Sequence, residues 1–157
     1  MRRYVYTDYD DYDNEYDIIG DDYKILINYC FKYASCFSLD FFGNQTRNVT
    51  FSFERINTLP VMHSENVNLE NNITRKYFKC TEEAYLILIQ DFGNIFEYMW
   101  EKAGSPENLT FYRNDDSVIL AVNTHEGYCD FYPLPHENPS EILKFGHWIE
   151  YQKGMYF

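Results

Sequence analysis

Six carboxylates and three tyrosines crowd into ten residues near the start of the chain: Asp8, Tyr9, Asp10, Asp11, Tyr12, Asp13, Glu15, Tyr16 and Asp17. Carboxylates at this spacing suggest two chemistries. Calcium binding would need the EF-hand loop, D-x-[DN]-x-[DN]-G closing on a Glu. Asp11-x-Asp13 begins that pattern, but Glu15 and Tyr16 follow without the glycine that makes the turn. The other chemistry is capture of a basic partner, because clustered acids speed diffusional encounter and tyrosines add contact area at small entropic cost. A solvated arm that only keeps the chain dispersed is the bland alternative; tyrosine at every third or fourth position favours contact. Asp115 and Asp116, between two apolar runs, form a second candidate patch at a hairpin tip.

A catalytic set is the next possibility. Thr124-His125-Glu126-Gly127 with Cys129 nearby holds a thiol, an imidazole and a carboxylate, the ingredients of nucleophilic catalysis. Neighbouring His and Glu in a turn point in different directions, and Cys129 alternates with Tyr128 and Asp130 as an inward-facing structural thiol does. The remaining histidines, His63, His136 and His147, stand unpaired in sequence. No glycine-rich phosphate loop, G-x-S-x-G elbow or H-E-x-x-H pair occurs. The residues therefore predict no catalytic set, no metal site and no cofactor, with a small enzyme built on His125 as the least favoured reading.

Composition narrows the partner. Twenty-five acids against 13 bases give the 157-residue chain a formal charge of −12, which disfavours direct grip on nucleic acid phosphates and on anionic membranes. Residues 1–23 hold eight acids and two arginines, net −6, and the other 134 hold 17 acids and 11 bases, also −6. Aromatics reach 20%, with 16 Tyr, 13 Phe and 2 Trp. Such a chain can bury a core, yet so many rings cannot all be interior, and exposed Tyr suits an interface. Arg2-Arg3 is followed by no apolar stretch of signal-peptide length, so a cytoplasmic protein is expected. Cys30, Cys36, Cys80 and Cys129 show neither a C-x-x-C pair nor zinc spacing, which fits reduced, mostly buried thiols. The sequons at Asn44, Asn48, Asn72 and Asn108 are read as chance in an Asn-rich chain.

The elements that must position these groups follow from periodicity. A helix is predicted from Asp21 to about Cys36, then a strand over Phe37–Phe41 and another over Val49–Ile56. Residues 57–72 read as a polar loop, and Ile73–Lys79 as a short strand. Thr81 caps a long helix whose stripe of Tyr85, Leu88, Ile89, Phe92, Phe96, Met99 and Trp100 runs to Gly104, with Gly93 as a possible break. Leu109–Arg113, Val118–Val122 and Tyr128–Tyr132 form hairpin strands, and a closing helix is predicted within Ser140–Gln152. The expectation is one α+β domain over residues 21–157, an antiparallel meander flanked by helices, carrying residues 1–20 as an acidic Tyr/Asp-rich arm.

The stretch from Leu109 to Pro133, L-T-F-Y-R-N-D-D-S-V-I-L-A-V-N-T-H-E-G-Y-C-D-F-Y-P, resembles a hairpin-plus-His-Glu module of small acidic bacterial immunity-type proteins. The likeness takes in the preceding helix as well, from about residue 80, and leaves the Asp/Tyr arm outside. It implies an antitoxin that blocks a cognate toxin, often a nuclease, without catalysis of its own. The combined expectation is a non-enzymatic inhibitor of a basic protein, contacting it through the Asp8–Asp17 segment, Asp115 and Asp116. The alternative is a phage-type DNA mimic that blocks a restriction or CRISPR effector.

Overall fold

The computed structural model describes residues 2–8, 16–42, 55–70, 72–96 and 106–155. Within them the chain runs β1 (Tyr4–Thr7), α1 (Gly20–Tyr33), β2 (Cys36–Phe42), β3 (Val61–Asn68), β4 (Ile73–Lys79), α2 (Glu82–Gln90), β5 (Glu107–Tyr112), β6 (Val118–Asn123), β7 (Tyr128–Phe131), α3 (Ser140–Leu143) and β8 (Ile149–Glu150). The eight strands form one sheet in the order β3-β4-β2-β5-β6-β7-β1-β8. Every neighbouring pair is antiparallel. This is the single α+β domain that the periodicity predicts.

Strand alternation sorts the sheet into two faces. In register across it lie Phe78, Phe37, Phe111, Leu120 and Phe131, all fully buried. Helix α1 covers this side, with the Phe31 ring 6.1 Å from Phe37 and 5.6 Å from Phe111. Burying each such ring stabilises the fold by roughly 1.5–3 kcal/mol. Tyr23 of α1 donates its hydroxyl to the Leu88 carbonyl at 2.6 Å, which ties α1 to α2. Thr81 caps α2 as expected, accepting from the Ala84 amide at 3.1 Å.

Four departures from the sequence expectations have physical causes. Helix α2 stops at Gln90 instead of continuing to Trp100. Just beyond it the Ile95 and Phe96 amides donate to the Asp17 carboxylate, so the chain leaves the helix while Phe92 and Phe96 still bury. Residues 61–68, expected as loop, form β3, an edge strand whose side chains are almost all exposed; with neither face covered, no apolar alternation is needed. Arg55–Thr58 is a 3-10 turn that buries Ile56, and the rest of the strand predicted there lies outside the described residues. The predicted C-terminal helix shrinks to the single turn of α3, and Ile149–Glu150 pairs with β1 instead. Between them Gly146 takes φ +68°, and a Cβ there would fall 2.3 Å from the Tyr6 ring.

The segment read as an arm enters the sheet. Tyr4-Val5-Tyr6-Thr7 is a run of strand formers, and β1 lies between β7 and β8 with Val5 and Tyr6 buried. The four cysteines are free; Cys30, Cys36 and Cys129 are buried and Cys80 is half-buried.

Candidate functional site

The sheet face opposite Phe37 and Phe111 is polar, and it holds a cluster of interacting charged and aromatic groups. Strand β2 reads Cys36-Phe37-Ser38-Leu39-Asp40, so the residues between the core apolars turn the other way. Register brings Tyr77 and Thr110 beside Ser38, and Arg75 and Glu107 beside Asp40. Asp40 is 2% exposed. Its carboxylate accepts from Arg75 Nε at 2.8 Å, Arg75 Nη2 at 3.2 Å and Asn108 Nδ2 at 2.9 Å. The bidentate fork holds Arg75 protonated, its pKa raised by the hydrogen bonds it donates to Asp40 despite partial burial.

Asn108 is positioned by its backbone. It takes φ +58°, a left-handed conformation that Asn tolerates better than most residues. Its amide donates to Thr124 Oγ1 at 3.1 Å and its Oδ1 accepts from the Thr124 amide at 3.0 Å. The β6–β7 turn is thereby pinned to the start of β5, and the strand register shifts between Ser38 and Asp40.

Around this buried centre lies an aromatic and acidic rim. Tyr77 donates its hydroxyl to Glu65 Oε1 at 2.8 Å, and the His63 ring stacks on it at 4.0 Å with an interplanar angle of 14°. The Tyr77 phenol is pushed up in pKa by burial and by the Glu65 contact. Tyr112 lies 5.6 Å from Tyr77 between ring centroids and shares a 3.0 Å hydrogen bond with Ser38. Glu107 is raised in pKa, chiefly by burial and secondarily by Asp40, while His125 opposes the shift. His125 Nδ1 stands 3.8 Å from Glu107 Oε2. Carboxylates beside stacked tyrosine and histidine rings can receive Lys and Arg by ion pair, hydrogen bond and cation–π contact together. Among the described residues no group of three or more His, Cys, Asp or Glu side chains is arranged to hold a metal ion.

The predicted contact residues separate into different places. Asp8 follows β1, its amide donating to the Gly127 carbonyl at 2.8 Å and its carbonyl accepting from the Tyr16 amide at 2.7 Å. Tyr9, Asp10, Asp11, Tyr12, Asp13 and Glu15, between Asp8 and Tyr16 in sequence, lie outside the described residues. Tyr16 packs its ring against His147 with centroids 3.6 Å apart. The Asp17 carboxylate accepts from the amides of Ile18, Ile95 and Phe96 at 2.7, 3.1 and 3.1 Å, and from Asn94 Nδ2 at 3.0 Å. Asp115 and Asp116 are exposed in the β5–β6 turn. Asp115 is lowered in pKa by the Ser117 hydroxyl and amide, and Asp116 takes φ +67°. The Asp8 and Asp115 patches thus stand at opposite ends of β6.

Asp40, Glu65, Arg75, Tyr77 and Glu107 were not among the expected site residues. The available signal was the polar-apolar alternation of Phe37-Ser38-Leu39-Asp40 and Arg75-Lys76-Tyr77-Phe78, which places acids, Arg and Tyr on one face. No family model, curated protein or solved structure matches the chain.

Proposed function

We propose that this chain is a non-enzymatic inhibitor that binds a basic protein, most simply an immunity-type protein occluding a toxin. One observation carries the reading: each of the five described arginines is engaged by a carboxylate of its own chain. The pairs are Arg2–Glu150, Arg3–Asp130, Arg55–Asp91, Arg75–Asp40 and Arg113–Glu137. The groups best suited to grip an acidic partner are therefore engaged internally, whereas Glu65, Asp115, Asp116 and Glu126 are exposed. Exposed carboxylates beside Tyr77, Tyr112 and His63 complement Lys and Arg. A like-charged partner would meet repulsion from a chain of net charge −12.

Removing residues 1–20 would remove β1 together with the acidic run. The better variant keeps β1 and replaces Asp10, Asp11, Asp13 and Glu15 by Asn or Gln. Partners captured on the tagged full chain are then measured for association rate at low and high ionic strength. The expected result is one basic partner whose on-rate falls by roughly tenfold or more with salt, less so for the neutralised variant. A neutral or acidic partner, or a salt-independent on-rate, overturns the reading. Displacement of that partner by duplex DNA would replace an immunity role by DNA mimicry.

A further inference from the structure

A recess of about 270 Å³ lies between α1 and the segment leading into α3, away from the polar sheet face, lined among others by Ile25, Asn28, Tyr29, Lys32, Tyr33 and Glu141. The five α1 residues fall at i, i+3, i+4, i+7 and i+8, so one helix face builds the wall. Tyr29 is 9% exposed, and its hydroxyl has no hydrogen-bond partner among the described residues. A buried hydroxyl without a partner is costly, and a recess with polar lining offers room for the missing one. Burial, then the nearby Glu137 charge, raises the pKa of this phenol, so it is a donor at neutral pH.

The other polar groups show which partner fits. Glu137 also lines the recess, but its two oxygens accept from Arg113 Nε, Arg113 Nη2 and the Leu134 amide. Its charge is paired with Arg113 and both of its oxygens already accept hydrogen bonds. Asn28 accepts from the Tyr85 hydroxyl through Oδ1, which leaves its NH2 donors. The Lys32 ammonium lies 5.3 Å from the centroid of the Tyr33 ring and has three donors to offer. Glu141, an exposed carboxylate on α3, is the remaining acidic group. The uncommitted groups are mainly donors beside apolar surface from Ile25 and two tyrosine rings.

We propose that this recess binds a small carboxylate with an apolar body. The Lys32 ammonium and Tyr29 hydroxyl receive its oxygens, while Ile25 and the rings of Tyr29 and Tyr33 receive its body. A ligand oxygen placed there supplies the hydrogen bond that the Tyr29 hydroxyl lacks. This site is independent of the basic-partner reading, and each can fail without the other.

The test is a titration of the full chain with isovalerate, isovaleramide and isoamylamine, read on the Tyr29 and Tyr33 ring resonances. Isovalerate should give a saturable shift that the amide and the amine do not. Tyr29→Phe removes only an unpartnered hydroxyl, keeps the ring packing and should weaken isovalerate by roughly tenfold. Lys32→Gln, on the exposed side of the helix, should abolish the saturable response, and Glu141→Gln should tighten binding about two- to threefold by removing a like charge. The proposal is overturned by no saturable shift, by an equal response to the amide, or by binding that survives Lys32→Gln.

Discussion

Arg75 lays its guanidinium against the Asp40 carboxylate through hydrogen bonds of 2.8 and 3.2 Å, and Asp40 is almost wholly buried beneath it. The pair connects β2 to β4 and fixes the centre of the polar face. Its two members are not equivalent, because Arg75 keeps 32% side-chain exposure and Asp40 only 3%. Arg75→Ala leaves a buried carboxylate with Asn108 as its remaining partner, and a loss of about 3 kcal/mol in urea unfolding is expected. Replacing both, as Arg75→Met with Asp40→Leu, should recover much of that loss, since the orphaned charge is gone. Equal destabilisation by the single and double variants would show that the cost comes from lost packing of the Arg stem.

Much of this arrangement is legible in the sequence, and the parts that are not share a cause. Helix α1, the start of α2 and strands β2, β4, β5, β6 and β7 each bury one face against the core, and that burial leaves a period of 3.6 or 2 in residue type. Strand β3 buries neither face, so Val61-Met62-His63-Ser64-Glu65-Asn66-Val67-Asn68 carries no period to read. Strand β1 was hidden differently. Tyr4-Val5-Tyr6-Thr7 has the composition of a strand, but the acidic run after it dominates the local charge. The polar face was missed because its members come from β2, β3, β4 and β5, and only the strand pairing brings Asp40, Glu65, Arg75 and Glu107 together.

Asp17 and Asp115 stood side by side as contact candidates, and their surroundings predict opposite outcomes on substitution. Asp17→Ala would strip acceptors from the Ile95 and Phe96 amides, whose own residues are buried. A stability loss of about 2 kcal/mol is expected from those orphaned donors. Asp115→Ala should leave the unfolding midpoint nearly unchanged, because its Ser117 contacts are exposed. Denaturant midpoints of the two variants distinguish a structural clamp from a surface group. Equal, small effects would mean that water satisfies the Ile95 and Phe96 amides.

The polar face should also leave a signature in the pH dependence of stability. Glu107 has its folded pKa raised above the ordinary glutamate value, mainly by burial. The folded state therefore binds the proton more tightly than the unfolded chain does. Stability from this group falls as pH rises from the ordinary glutamate range through the raised value. Glu137 and Asp115 run the other way. Burial works against the Glu137 carboxylate, but its Arg113 and Leu134 hydrogen bonds outweigh that and lower its pKa, while Ser117 lowers Asp115. Their contributions, small for the exposed Asp115, are full above the ordinary range and are lost as pH falls. Glu107→Gln should flatten the decline on the weakly acidic side and leave the acid limb in place, as read from urea midpoints between about pH 3 and 7. Parallel profiles for the two proteins would remove Glu107 as the source.

The turn that holds Asp8 offers a test of how firmly the first strand is docked. Gly127 takes φ +68°, and a Cβ there would stand 2.3 Å from both oxygens of the Asp8 carboxylate. Gly127→Ala combines a left-handed backbone cost of roughly 1 kcal/mol with that clash. Asp8 would have to move, disturbing its amide contact with the Gly127 carbonyl and its carbonyl contact with the Tyr16 amide. Amide hydrogen exchange should then accelerate in Tyr4–Thr7 more than in β2 or β5, which lie farther along the sheet. Gly127→Ala combined with Asp8→Gly should recover the part due to the clash and keep the part due to φ. A uniform rise in exchange across all strands would mean that β1 is no local unit and unfolds only with the whole sheet.

The thiols supply a last check on the core. Burial raises the pKa of Cys30, Cys36 and Cys129, and pushes Cys80 up to about 12. At pH 8 a thiol of that kind is thiolate at a fraction on the order of 10⁻⁴, and only the thiolate attacks a disulfide reagent. Native protein mixed with an aromatic disulfide should therefore release chromophore slowly, at a rate that tracks opening of the fold. Unfolding in urea should liberate four equivalents quickly, since all four cysteines are free. Cys80, half-buried where the other three are buried, should lead whatever native reaction occurs, and Cys80→Ser should remove that phase alone. A fast equivalent that persists in Cys80→Ser would place one of the three buried thiols at an opening of the sheet–helix interface and contradict the packing of Cys30 against that core.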